Sequence, residues 1–542
     1  MKTVRGAALS SFLLLSFLPT GASFAQSDEC LLGEIKRGAS GDTWTCEIFD
    51  DARRGWVSPT NGLDDRARAY VAWARANHLP AGQVATTFFS DATLSQLVRW
   101  DDVGDSAMWT GNLLAAESLR YLSTRSPDAQ QSVKRLVMTL HSLFAVTGSP
   151  AYLARFAVRE DDDPRIVGLV DLSRANRHRS SIDGRAYRWI GDTSRDQYQG
   201  VVMGLALAYK ALDDEALKNL IRQDLTTLAE VLMKKQKYTV RIRWKIGGFT
   251  TVTKLKLDLQ YVIRNNAVPL EVFIDVLDID RTRFGGLQEF MPTIMGIPVF
   301  RRTGSAIMLT SMFQAALSVT RDAPAWKVSY DRIKTFYEQH ANEWLDVADE
   351  WSYSNSGGCY PAYFAININF EPVYTMLFLK EDPARYNRIV NDVLLKRLWP
   401  VVDDHKQVFF SYIAAASQPT LNASWDAVVS QANGQLAQFP DAPHVDVPND
   451  VSALYPENRS CPGKSTIALD VGHRNPADFL WQRSPFGLSS SGNVGKVFPG
   501  IDYLVAYWLG RYQGFLESDA PGTRTAWRRT SLAATGNPAA VQ

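Results

Sequence analysis

Two loops gather acidic and aromatic residues just ahead of strongly apolar helical runs. The first reads Trp100-Asp101-Asp102-Val103-Gly104-Asp105-Ser106-Ala107-Met108-Trp109. The second reads Arg188-Trp189-Ile190-Gly191-Asp192-Thr193-Ser194-Arg195-Asp196-Gln197-Tyr198. Each puts aspartates and an aromatic at the mouth of a helix, with glycine just before a key aspartate. Side chains of these kinds suit sugars, whose C–H faces lie on aromatic rings and whose hydroxyls bond to carboxylates and amides. Cleaving a glycosidic bond takes two flanking carboxyl groups, one as acid and one as base or nucleophile. Asp105 and Asp192 are the first candidates for that pair and Asp102 and Asp196 the second. Trp109, Arg195, Gln197 and Tyr198 are candidates for positioning the sugar. The competing role is helix capping, worth about 1 kcal/mol per cap. Capping lowers a carboxyl's pKa, which suits a base and works against an acid.

Later loops add Asp470-Val471-Gly472-His473-Arg474 and the run from Asp478 to Phe486, which contains Arg483. His473 titrates near neutrality in its unperturbed form and is a candidate acid or base. Arg474 and Arg483 could clamp a uronate or a sulfated sugar. Phe498-Pro499-Gly500-Ile501-Asp502-Tyr503 opens the last apolar helix and adds Asp502 to the substrate-binding candidates. Ser489-Ser490-Ser491-Gly492 reads as a lid or a flexible connector. The pairs Gly285-Gly286 and Gly357-Gly358 read as turns. The sequence has no nucleophile elbow, Walker loop, HExxH or dinucleotide fingerprint. No cofactor or metal site is expected.

Helices of two compositions must position these loops. One class opens on Ser or Asp beside proline and carries an apolar stripe. Ser126-Pro127 leads into Val133, Leu136, Val137 and Leu140, Asp382-Pro383 into Tyr386, Ile389, Val390 and Val393, and Asp322-Ala323-Pro324 into Trp326, Tyr330 and Ile333. Similar stripes run from Leu217 to Leu232, from Asp64 to His78 and from Leu421 to Leu436. Capped, amphipathic segments of this kind lie on a surface. The other class is apolar nearly all round and rich in Gly and Ala: Met108–Ala116, Val201–Tyr209, Ala306–Phe313, Pro372–Phe378, Val408–Ala414 and Tyr503–Gly510. Such helices must be buried on every side.

The two classes alternate about six times along the chain. That order resembles the (α/α)6 toroid, the six-hairpin architecture of many glycoside hydrolases and polysaccharide lyases. The resemblance is architectural and no motif assigns one family. It implies an all-α toroid of inner and outer helices over residues 63–518, with the functional loops at the inner-helix N-termini. An insertion at 238–300 interrupts it, where Thr239–Ile246, Gly247-Gly248 and Phe249–Thr253 read as a basic β-hairpin. Residues 26–62 form an N-terminal segment and 519–542 a fraying tail.

Met1-Lys2-Thr3-Val4-Arg5, an apolar run and the ending Ala22-Ser23-Phe24-Ala25 read as a secretory signal cleaved after Ala25. This places the chain in the periplasm or outside the cell. The run is too short for a membrane span of ~20 residues. Four cysteines in an oxidising compartment suggest two disulfides; of the three possible connectivities, Cys30–Cys46 with Cys359–Cys461 is favoured. Their spacings fit no zinc site. A net charge of +1 gives no field to attract nucleic acid. The reading is an exported enzyme that takes an oligo- or polysaccharide, a glycoside hydrolase first. A polysaccharide lyase and a non-catalytic glycan-binding or scaffold protein are the alternatives.

Overall fold

The computed structural model describes residues 35–37, 43–48, 54–57, 62–246, 249–259, 261, 263 and 303–517. The expected signal segment, Cys30, the tail and most of the 238–300 insertion lie outside the described residues. The described chain is mostly helical with several small antiparallel sheets. The all-α expectation is corrected to that extent.

The striped segments form α1 (Leu63–Asn77), α3 (Pro127–Ala145), α5 (Glu215–Met233), α7 (Lys327–Ala348), α9 (Pro383–Arg388, continuing as π-helix over Ile389–Leu398) and α11 (Ala423–Ala437). Their apolar stripes are buried and their other faces are polar. Four have a side-chain cap. Ser126 accepts from Ala129 N, Asp214 from Ala216 and Leu217 N, Asp382 from Arg385 N, and Asn422 from Ser424 and Trp425 N.

The apolar segments form α2 (Ser106–Thr124), α4 (Arg195–Ala211), α6 (Thr303–Thr320), α8 (Phe364–Leu379), α10 (Val408–Ala416) and α12 (Ile501–Tyr512). They supply most of one continuous hydrophobic core. At the starts of α2, α4, α8, α10 and α12 no cap side chain bonds to the helix. Pro372, expected to open its helix, instead lies inside α8, which begins at Phe364.

Packing joins α2 to α4, α4 to α6, α6 to α8, α8 to α10, α10 to α12, and α12 to α2. The α2–α4 crossing is backbone against backbone. A Cβ on Gly111 would fall 2.3 Å from the Gly200 carbonyl, and one on Gly204 would fall 2.4 Å from the Gly111 oxygen. Only glycine permits that approach. The last helix also holds the first: Tyr503 donates to the Leu63 carbonyl (2.7 Å) and Tyr507 to the Asp64 carboxylate (2.9 Å).

The long loops between helices satisfy their backbone groups by pairing with one another, which is why strands occur in a helical chain. At the N-terminus, β1 (Ile35–Arg37), β2 (Thr43–Ile48) and β3 (Arg54–Val57) form one sheet, with Cys46 buried on β2. Loops leading into α2 and α12 share a second sheet in the order β11-β14-β4-β5, from β4 (Thr86–Phe89), β5 (Leu97–Asp101), β11 (His444–Asp446) and β14 (Asn493–Phe498). The loop leading into α4 folds as β6 (Phe156–Arg159), β7 (Arg177–Ile182) and β8 (Arg185–Ile190). Strands β9 (Gln236–Ile246) and β10 (Phe249–Leu259) pair antiparallel, with Ile246 opposite Phe249. Asn449–Asp450 (β12) pairs with Ser489–Ser490 (β13), so the serine-rich stretch is partly held in a sheet.

Cys359 and Cys461 are joined by a disulfide. Among the described residues no helix is long and apolar enough to cross a membrane.

Candidate active site

The sheet shared by the loops into α2 and α12 sets Asp102 and Asp105 beside β14 and the 474–487 loop. Together they line a cavity of about 610 Å³. Asp102, Asp105, Asp446 and Asp478 contribute carboxylates to it, and Arg474, Arg483 and Lys496 contribute cations.

Asp105 stands at the N-cap position of α2 but makes no cap bond. Other groups take that task. Gln197, fully buried at the start of α4, accepts from Met108 N at 3.1 Å, and the Arg155 carbonyl accepts from Ala107 N at 3.0 Å. The same Gln197 donates through Nε2 to Asp105 Oδ1 at 2.9 Å, and Arg155 adds a longer contact of 3.4 Å. The Asp105 side chain is 44 % exposed and opens on the cavity. Partial burial raises its pKa, the Asp196 and Asp478 carboxylates push the same way, and Arg155 and Arg483 oppose them.

Arg155 also joins the two acidic loops. Its Nε donates to the Asp192 carbonyl (2.7 Å), NH1 to the Gly104 carbonyl (2.8 Å) and NH2 to Ser194 Oγ (3.0 Å). The loops meet through their backbones, and the Asp192 carboxylate turns aside to accept from Asn176 at 3.3 Å. Asp192 is exposed, has φ 59° and does not line the cavity. Asp196 lies close enough to raise the pKa of both Asp105 and Glu371. Asp102 pairs with Lys496 at 3.3 Å, and burial raises Asp446 against the pull of Lys496.

Other expected site residues have structural partners. Trp109 is buried and stacks on Phe479, with centroids 4.6 Å apart. Tyr198 is buried; its hydroxyl donates to the Ala151 carbonyl and accepts from Leu153 N, both at 3.0 Å. Neither ring offers a face to a sugar. Arg195 donates to Ser305 across the α4–α6 junction. Asp502 is fully buried, accepts from Leu480 N (2.8 Å) and Tyr503 N (3.0 Å), and is pushed up to about 7 by burial. It shapes the 478–483 loop from behind. His473 bonds Tyr455 at 2.8 Å and lies outside the cavity lining. Arg474 reaches the cavity, but its guanidinium is engaged by Gln407 and the carbonyls of His405, Lys406 and Leu469. Arg483 is exposed and pairs with Asp478 at 2.8 Å.

Sequence reasoning missed Arg155, Asp446, Asp478 and Lys496 as site residues. It also missed a buried polar group between α2 and α8. Glu371 is fully buried, and its Oε1 accepts from Asn367 (3.0 Å) and Asn112 (3.3 Å). Burial pushes its pKa up to about 8. The helix expected to begin at Pro372 hid the Asn367-x-Asn369-x-Glu371 spacing, which was the available signal. Among the described residues no cluster of His, Cys, Asp and Glu could hold a metal ion.

No family model matches the chain, and no curated protein or solved structure proved similar to it.

Proposed function

We propose that the protein is an exported glycoside hydrolase built on an (α/α)6 toroid. The architectural part is supported by the order of packing: α2, α4, α6, α8, α10 and α12 touch in succession and α12 returns to α2, with α4 also packed directly on α8, and the striped helices bury one face and keep the other polar. Export is supported by the residue pattern of the first 25 positions and agrees with the Cys359–Cys461 disulfide.

One observation carries the catalytic part. Asp105 is a carboxyl at a cavity, relieved of capping, oriented by a buried amide and held above the usual carboxylate range. Those are the properties of a general acid that protonates a glycosidic oxygen. Asp478 lines the same cavity and acts electrostatically on Asp105, so it is the second carboxylate in this reading, in place of Asp192. Asp196 and Gln197 tune and orient the acid. Arg483, Lys496 and Asp102 supply polar contacts to the sugar.

The lyase reading is less well supported. Cations line the cavity, but both candidate bases are otherwise engaged, Tyr198 in the core and His473 with Tyr455.

The test compares the mature protein with Asp105→Asn and Asp478→Asn on neutral and acidic polysaccharides. New reducing ends without ultraviolet absorbance, reduced at least a hundredfold in both variants, are expected. Absorbance from unsaturated uronates would replace hydrolase with lyase. Undiminished turnover in Asp105→Asn would remove Asp105 from the chemistry.

A further inference from the structure

The loop between α7 and α8 differs in composition from the rest of the chain. After Asp349 and Glu350, from Trp351 to Tyr363, it carries no charged residue, in a protein that is 21% charged. Its first part reads Trp351-Ser352-Tyr353-Ser354-Asn355, and Ser352, Ser354 and Asn355 are exposed. Surface loops ordinarily carry charge. Half-buried tyrosine with exposed serine and asparagine is instead the composition of a recognition loop, with rigid amphipathic rings beside small hydrogen-bonding groups.

The loop is also fixed. The Cys359–Cys461 disulfide anchors it, Lys464 donates to the Cys359 carbonyl, and Asn458 donates to the Gly357 carbonyl at 3.1 Å. Within it, Tyr360 N donates to Asn355 Oδ1 at 3.1 Å, and the Tyr353 hydroxyl donates to the Pro361 carbonyl. Tyr360 and Ala362 hold φ values of 44° and 53°, left-handed conformations that non-glycine residues adopt at a cost.

The rings form a column. Half-buried Tyr360 stacks on buried Phe486, with centroids 4.7 Å apart, and half-buried Tyr353 lies parallel on its other side at 6.0 Å. The column backs the wall of the cavity. Pro485 and Gly487, on either side of Phe486, both line it, and Lys464 of the disulfide-bonded loop bridges to Gly487.

We infer that the Tyr353–Tyr360 loop is a second carbohydrate subsite, which holds an uncharged stretch of the glycan as it leaves the cavity. The chemistry of the ligand follows from the loop. With no cation of its own to pair a uronate or sulfate, and with the Asp403 and Asp404 carboxylates acting on Tyr360, it offers the half-buried Tyr353 ring to C–H faces and hydroxyl and amide groups to sugar hydroxyls. The occupant is a polymer rather than a short sugar, because it has to span from the cavity to a loop that lies behind the cavity wall.

The inference rests on the hydrolase reading for its ligand, so the test separates the two. Binding is measured on the full mature chain carrying Asp105→Asn, by retardation in gels containing xylan, mannan, starch or β-1,3-glucan, with alginate and polygalacturonate as the charged set. Retardation by a neutral polymer is expected, weakened about three- to tenfold by Tyr353→Ala, the range of a lost aromatic contact. Tyr360→Leu, which keeps an apolar side chain in the column but removes the ring that positions Tyr353, guards against a folding artefact and should also weaken retention. Retention on neutral polymers unchanged in both variants, retention only by charged polymers, or no retention at all would overturn the subsite. Tyrosine-dependent binding by a wild-type protein that cleaves nothing would leave the subsite standing and remove the hydrolase. Cleavage with tyrosine-independent binding would do the reverse.

Discussion

The first-turn N–H groups of α2 are bonded by Gln197 and by the Arg155 carbonyl, so the Asp105 side chain contributes nothing to capping that helix. Asp105→Asn removes no cap bond and, by replacing a carboxyl whose pKa the fold raises, should leave the protein at least as stable as the wild type near neutral pH. Ser126→Ala, which removes a real cap from α3, should cost about 1 kcal/mol. Urea denaturation of both variants checks the contrast. An acid with a raised pKa keeps its proton to higher pH, so the alkaline fall in turnover should lie above the ordinary aspartate range. Glu371 gives a second pH effect, of opposite use. In the unfolded chain it releases its proton near 4.5, whereas in the fold it keeps it to about 8. Between those values the unfolded state binds fewer protons, so stability falls as pH rises through the interval. Glu371→Gln cannot ionise and should gain on the wild type across that window. The gain is at most about 1.4 kcal/mol for each pH step of one, with no pH-dependent gain below the window. Denaturation midpoints at pH 4, 6 and 8 decide it. A constant difference would mean that Glu371 is ionised in the fold.

At the scale of elements, the α2–α4 crossing is the least forgiving contact. Gly111→Ala or Gly204→Ala must separate two backbones and should cost at least about 1–3 kcal/mol, the usual penalty of overpacking. Gly434 lies exposed on α11 where an added Cβ meets nothing, so Gly434→Ala should stabilise by about 0.5–1 kcal/mol. Chemical denaturation of the three variants tests both signs. The striped helices were legible because their start signals are local: Ser126-Pro127 and Asp382-Pro383 cap and open α3 and α9 within a few residues. The apolar helices were legible as buried but not in their limits, as Pro372 shows, because their ends are fixed by tertiary partners. The site was legible in the same uneven way. Asp105 stood out, but its freedom from capping depends on Gln197, 92 residues later, and nothing local announces that. Lys496 and Asp446 reach the cavity through sheet pairings too short to show a strand period.

For the molecule as a whole, the Cys359–Cys461 bond encloses 102 residues, including α8 through α11. Crosslinking a loop of that length restricts the unfolded chain strongly, so replacing both cysteines by alanine should cost about 2–5 kcal/mol. The fall should show in denaturation midpoints measured without reductant. The bonds from α12 to α1 bear on a different matter, the order in which the chain is made. Tyr503 meets the Leu63 carbonyl across 440 positions, which a ribosome working at roughly 5–20 residues per second needs roughly 20 to 90 s to span. For all that time α1 and the apolar α2 exist without the neighbour that covers their shared flank. Their nascent surfaces must be shielded by a holding factor, or kept unfolded, until the final helix is synthesised.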